Sequence, residues 1–160
     1  MMSMLFGLLI AIGLCLVGMV HEVRALSEAA RTKLQTAKEI YVATKRANGE
    51  WSTAAPVWFT YDGEAVYLTA APTSYKARRI KRSNTVHIWV GSKEGPSFTG
   101  QAEMIEDLAV VERMGTAYKQ KYWIAWLGFF RPRASRVASG KTIAIKVTPL
   151  DDSLADAPAK

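Results

Sequence analysis

Two glycine turn signals, each flanked by runs rich in β-branched and aromatic residues, constrain this 160-residue chain more than any other feature. Asn48-Gly49 separates Ile40-Tyr-Val-Ala-Thr44 from a run over Trp51–Tyr61, and Asp62-Gly63 separates that run from Ala65-Val-Tyr-Leu-Thr69. Asn-Gly and Asp-Gly tolerate the positive φ that tight hairpins require, so three consecutive strands in an antiparallel meander are expected. Pro56 cannot donate to a ladder, which predicts a bend or a free edge within the second strand. Alternation and flanking turns add strands over Thr85–Val90, Pro96–Ile105 and Lys141–Thr148. Helices are predicted over Ser27–Lys38 with Ser27 as cap, over Ser74–Arg82 with Ser74 or Thr73 as cap, and over Glu106–Lys121. In the last of these, Leu108, Val111, Met114 and Tyr118 recur at helical spacing. The expected fold class is therefore mainly β (α+β): six strands with short helices, in a small closed or split antiparallel barrel whose mouth or subunit seam is a common place for a ligand.

Met1–Val20 is different in kind. It carries no charge and only one polar side chain, Ser3, over a length that as a helix covers the roughly 30 Å hydrocarbon core of a bilayer. A cleaved signal peptide would show Lys or Arg in its first residues and a shorter apolar stretch. A transmembrane anchor over residues 1–22 is expected, followed by a domain over 23–150 and a disordered acidic tail over 151–160. Arg24, Arg31 and Lys33 follow the apolar run and nothing positive precedes it, so the domain is expected on the cytoplasmic side of the cell membrane, as a single-pass protein.

Composition excludes several chemistries. One Cys and two distant His residues, His21 and His87, cannot supply a zinc site or a disulfide framework, and no metal centre is expected. His87 alternates with Val86 and Ile88 on a strand, which reads as a satisfied, half-buried imidazole. The excess of 21 Lys and Arg over 14 Asp and Glu calls for an anionic partner. Its densest part is Lys76, Arg78, Arg79, Lys81 and Arg82, five cations in seven residues. Thr69, Thr73 and Ser74 add hydroxyls and a helix start adds backbone N–H groups, so with Lys76 they read as a phosphate cradle, with Arg79 one turn further on the same face. The alternative is a solvated basic helix face. Aromatic residues are not interleaved with the run, and no RNA-binding or helix-turn-helix pattern is present, so nucleic acid is not an expected partner.

The order of these segments carries a resemblance. The series Thr53-Ala-Ala-Pro-Val-Trp-Phe59, Asp62-Gly63, Val66-Tyr-Leu-Thr69, Ser74-Tyr-Lys-Ala-Arg-Arg-Ile80, Val86-His-Ile-Trp-Val90, Phe98-Thr-Gly-Gln-Ala-Glu103 and Ile145-Lys-Val-Thr-Pro149 resembles the pyridoxamine 5′-phosphate oxidase-like split β-barrel superfamily. That superfamily includes flavin- and deazaflavin-dependent oxidoreductases. The resemblance implies a homodimer with the ring system of flavin mononucleotide (FMN) or a deazaflavin in a groove between protomers; haem is a weaker alternative, as is a barrel with no cofactor. It implies backbone contacts to the ring from Pro56, Val57 and Trp58. It also implies a phosphate clasp around Thr69, Ser74, Tyr75 and Lys76, to which the helix geometry adds Arg79. The chain departs from the pattern at Tyr75-Lys76, where many flavin-binding members carry Arg-Lys. No acid–base residue stands out as catalytic, since such enzymes leave hydride chemistry to the cofactor.

Tyr122-Trp-Ile-Ala-Trp-Leu-Gly-Phe-Phe130, followed by Arg131, Arg133 and Arg136, is too short to span a bilayer. It reads equally as core covering one barrel end or as an interfacial patch with the arginines on anionic lipid. Two functions are expected from the whole. One is a membrane-anchored, cytoplasmic-facing flavin- or deazaflavin-binding oxidoreductase acting on a small or lipophilic substrate. The other is a non-catalytic accessory subunit of a membrane complex, with the barrel as scaffold and the helix for docking.

Overall fold

The structure, a computed structural model, describes residues 26–128 and 130–150. The expected anchor at 1–22 and tail at 151–160 lie outside the described residues. Among the described residues, no helix is long and apolar enough to cross a membrane.

The elements follow in the order α1 (Glu28–Thr36), β1 (Ile40–Thr44), β2 (Ala55–Val57), β3 (Phe59–Tyr61), β4 (Val66–Ala70), α2 (Tyr75–Arg82), β5 (Thr85–Val90) and β6 (Ser97–Ile105). They continue with α3 (Leu108–Lys121), α4 (Trp123–Trp126), α5 (Ala134–Ala138) and β7 (Ile143–Pro149). Among the described residues there are seven strands rather than the expected six, because the run Trp51–Tyr61 holds two strands. β2 pairs with β1 (Tyr41 opposite Pro56), whereas β3 pairs with β4 (Thr60 opposite Tyr67). The break falls at Trp58, two residues beyond the proline. Pro56 sits where its missing N–H does no harm, since β2 has a single strand neighbour.

The antiparallel sheet runs β2-β1-β5-β6-β7-β4-β3. Its two ends, β2 and β3, are consecutive in the chain, so Trp58 alone bridges the seam of a nearly closed barrel. Alternate residues fill the interior: Ile40 and Val42 from β1, Val66 and Leu68 from β4, Val86, Ile88 and Val90 from β5, and Ile145 and Val147 from β7. Gly100 faces this layer from β6, where a Cβ would come within 2.5 Å of the Val147 Cγ1. Glycine is thus what lets β6 and β7 approach.

Helices close the rest. Ser27 caps α1, its hydroxyl accepting from Ala30 N at 3.2 Å, and Ala30 and Leu34 enter the barrel core. α3 lies on the outer face, where Val111 and Met114 pack on Ala144 of β7 and against Tyr67 of β4. The aromatic stretch after α3 is divided between core and surface: Tyr122 and Ala125 are buried, while Trp123 is 78% exposed and Leu127 and Phe130 are also exposed.

Candidate functional site

At the seam the backbone needs help. Tyr118 on α3 donates its hydroxyl to the Trp58 carbonyl at 2.7 Å. The Tyr122 hydroxyl accepts from Phe59 N at 3.0 Å and shares its proton between the carbonyls of Phe59 at 2.9 Å and Lys38 at 2.8 Å. The Trp58 ring lies flat on the Tyr122 ring, with centroids 4.4 Å apart and planes 5° from parallel. Burial pushes the Tyr122 phenol up to about 12 and raises that of Tyr118 as well, so both remain neutral donors at physiological pH.

Beside this seam is a cleft of about 570 Å³, within the range that holds a cofactor-sized molecule. Pro56, Val57 and Trp58 line it as one continuous wall, together with Thr69 near the end of β4, Lys76 in the first turn of α2 and Tyr118 of α3. Phe130, also on the lining, meets the Trp58 ring edge-on at 5.9 Å. Phe130 holds a left-handed φ of 56° next to Gly128 at 90°, a conformation unusual for a side chain of this size. Arg131, Arg133, Arg136 and Thr142 complete the lining.

The cleft brings together five of the eight residues expected from sequence: Pro56, Val57, Trp58, Thr69 and Lys76. The other three stand apart from it. The Ser74 hydroxyl is occupied as the α2 cap, accepting from Ala77 N at 3.2 Å. Tyr75 is 69% exposed, and Arg78 and Arg79 lie over its ring at 4.6 and 5.3 Å. Helical spacing places Arg79 on the Lys76 side of α2, but the stack on Tyr75 draws its guanidinium elsewhere.

The three arginines are not among the residues the sequence assigns to this site; it places their stretch equally in the core at one barrel end or at a lipid surface, and the structure puts all three on the cleft. Arg136 Nε donates to the Thr142 hydroxyl at 3.2 Å, Arg133 donates to the Gly128 carbonyl, and Arg131 Nε is buried with no acceptor. Among the described residues, no carboxylate lines the cleft. Burial lowers the Lys76 ammonium to about 8, because a desolvated cation is disfavoured until an anion joins it. Hydroxyl, ammonium, guanidinium and an orphaned N–H form a donor set with no acceptor of charge. They fit the phosphate of a phosphorylated cofactor, with the Pro56–Trp58 wall left for its ring.

His87 lies on a different face. It is buried, hydrogen-bonded through Nδ1 to the Thr99 hydroxyl at 2.9 Å, and flanked edge-on by the Trp51 and Trp89 rings. The imidazole is hydrogen-bonded, as the strand pattern predicts, but buried rather than half-buried, because the Trp51 and Trp89 rings cover it.

Residues 26–151 match the family model for pyridoxamine 5′-phosphate oxidase. The chain belongs to the pyridoxamine 5′-phosphate oxidase family. Solved structures agree at the level of fold. An F420 reductase is 22% identical, with a TM-score of 0.56 over 78% of this chain and 95% of its own. The haem storage protein HutZ from Vibrio cholerae is 15% identical, with a TM-score of 0.54 over 74% and 86%. General stress protein 26 from Bacillus anthracis is 23% identical, with a TM-score of 0.52 over 74% and 84%. No curated protein matches the sequence. Chains of this fold thus include an F420 reductase, a haem storage protein and a general stress protein, so the fold leaves the choice of ligand to the cleft.

Proposed function

We propose that this protein binds a phosphorylated flavin-type cofactor, FMN or a deazaflavin, in the cleft beside Trp58, and uses it as an oxidoreductase on a small or lipophilic substrate. The observation that carries the reading is the joining of the Pro56–Trp58 wall to an acid-free end built from Thr69, Lys76 and Arg136. When bound, the cofactor supplies hydride transfer. The chain's own part is to hold the ring along the seam and to neutralise the phosphate with Lys76 and Arg136. Phe130 and Trp58 keep water from the apolar side. In the same reading the protein is a homodimer, and residues 1–22 hold it to the cell membrane with the barrel on the cytoplasmic side. The uncharged run at 1–20 and the exposed Trp123, Leu127 and Phe130 support that placement.

The test is the visible spectrum of the full chain purified in detergent. A flavin or deazaflavin band at near-stoichiometric occupancy, or uptake of either when added, is the expected result, and Lys76→Ala should weaken it. A Soret band in its place would replace the flavin reading with haem. A colourless protein that takes up neither ring and co-purifies with other membrane subunits would leave the accessory-subunit reading standing.

A further inference from the structure

Lys38, just past α1, and the last turn of α3 meet on one side of the barrel. The Lys38 ammonium donates to the Lys121 carbonyl at 3.3 Å, and both lysines, with Lys119, Gln120, Trp123 and Leu127, line an open groove. It shares no lining residue with the cleft beside Trp58. Above this groove α4 divides. Tyr122 and Ala125 pack inward with Tyr118, while Trp123 and Leu127, one turn apart and turned outward, are 78% and 53% exposed. An apolar edge is thus set in water beside three lysines.

Those lysines lack counter-charges. Among the described residues, none of Lys38, Lys119 and Lys121 has an ion-pair partner. The neighbouring carboxylates are engaged elsewhere: Glu39 accepts from the Tyr41 hydroxyl at 2.7 Å, and Glu112, which shares a separate recess with Lys119, accepts from Ala134 N at 3.1 Å. The Lys121 Nζ lies 3.3 Å from the centre of the Phe59 ring, and burial and the Lys38 charge lower its ammonium to about 8. Like charges held together in this way are relieved by an anion.

A free anion would use the lysines and leave Trp123 and Leu127 without a role. A bilayer interface uses all of them: the indole sits at headgroup depth, and ammonium groups on flexible stems reach lipid phosphates. The chain itself brings such a surface close. Residues 1–20 carry no charge, and from residue 22 the link to Ser27 and the nine residues of α1 reach at most about 40 Å to Lys38. Docking of a chain held by that run is intramolecular, so a small patch suffices.

We infer that this groove docks the barrel onto an anionic lipid surface, with Trp123 and Leu127 at headgroup depth and Lys38, Lys119 and Lys121 on lipid phosphates. The inference rests on the chain being held at a membrane, as in the reading above, and does not depend on which cofactor fills the cleft. It moves the lipid contact from the arginines after Phe130, which line the cleft, to lysines on α3 and at the end of α1.

The test reconstitutes the full chain into vesicles of phosphatidylcholine, alone or mixed with phosphatidylglycerol, both carrying lipids brominated just below the headgroup. The chain should float with both kinds through residues 1–22. Tryptophan quenching should be greater in the anionic vesicles, and Trp123→Phe should abolish the extra quenching. Lys38→Gln/Lys119→Gln changes two exposed side chains and should lower the ratio of docked to undocked chain, read from the quenched fraction, about five-fold for each lysine. Arg78→Gln/Lys81→Gln, an equal loss of charge on α2, should leave that ratio unchanged. Quenching that is equal in the two vesicles, survives Trp123→Phe or falls equally with the α2 pair would overturn the docking surface. So would the absence of quenching in either vesicle, the result expected were the groove covered by an acidic protein. If the chain fails to float with neutral vesicles yet binds anionic ones through Lys38 and Lys119, the anchor falls and the groove stands; binding to neither overturns both.

Discussion

Replacing Tyr122 by Phe should destabilise the barrel far more than one hydroxyl on a surface would. The ring and its stack on Trp58 are kept, so the change isolates the oxygen. That oxygen accepts from Phe59 N at 3.0 Å and returns its proton to the Phe59 or Lys38 carbonyl. Phe59 is fully buried, so its N–H loses its acceptor out of reach of solvent, at about 1–3 kcal/mol. The Lys38 carbonyl, on an exposed residue, can turn to water. Adding about 1 kcal/mol for the donated bond gives an expected loss of about 2–4 kcal/mol. Tyr118→Phe is the control, since its hydroxyl makes one bond, to the Trp58 carbonyl, and should cost about 1 kcal/mol. Urea unfolding of both variants, followed by far-UV circular dichroism in the same detergent, measures the difference. The m-value should not change, because the surface exposed on unfolding is the same. A loss for Tyr122→Phe below about 1 kcal/mol, or one no larger than for Tyr118→Phe, would refute the claim that this hydroxyl holds the seam.

Three other expectations follow from single residues. Burial holds the Lys76 ammonium at about 8, so affinity for a phosphate-bearing ligand should be level near neutrality and fall as pH rises through 8; binding titrations across that range should lose the fall in Lys76→Gln. Burial depresses His87 to about 4 from its usual 6.5. Between those values the unfolded chain binds a proton that the native one does not, so stability should drop as pH falls from 6.5 towards 4; urea midpoints at both ends of the window, repeated in His87→Gln, would show no such drop if the imidazole were solvated. Gly100→Ala places a Cβ 2.5 Å from Val147 Cγ1 and 3.1 Å from the Thr148 carbonyl, which should destabilise by about 1–3 kcal/mol as overpacking. Val147→Ala in the same chain should recover part of that loss, and a neutral Gly100→Ala would mean β6 and β7 can separate.

Local signals carried much of the fold and little of its closure. Gly49 and Gly63 take φ of 83° and 103°, as their turns demand. The Ser27 and Ser74 caps and the limits of β5 also lie where the residues place them. The split at Trp58 had no such signal: nothing in Trp51–Tyr61 marks position 58, and what divides the run is pairing of its halves with partners on opposite sides, β1 and β4. The cleft divides in the same way. Pro56 to Trp58, Thr69 and Lys76 were legible because they lie on neighbouring elements. Arg131, Arg133 and Arg136 were not, because a short run of arginines after aromatic residues fits a lipid surface as well as a pocket. The clue was Gly115. Inside a helix it costs about 1 kcal/mol relative to alanine, and that weakness signals another backbone close by, here the Pro132 carbonyl.

The place of β7 in the sheet also sets an order of events. It lies between β6 and β4, so without it the barrel is two unconnected ladders, β2-β1-β5-β6 and β4-β3, tethered only through the chain. Yet β7 comes last of all the strands in sequence, and Val147 must find Val66 across most of the domain. Such non-local pairing is slow to form. During synthesis the early strands therefore wait, edges uncovered, until β7 has emerged. Thr142, just ahead of β7, joins Thr69 on the lining of the cleft in that same step. The cleft is then among the last parts of the domain to exist, and a nascent chain halted before residue 143 would have nowhere to receive its ligand.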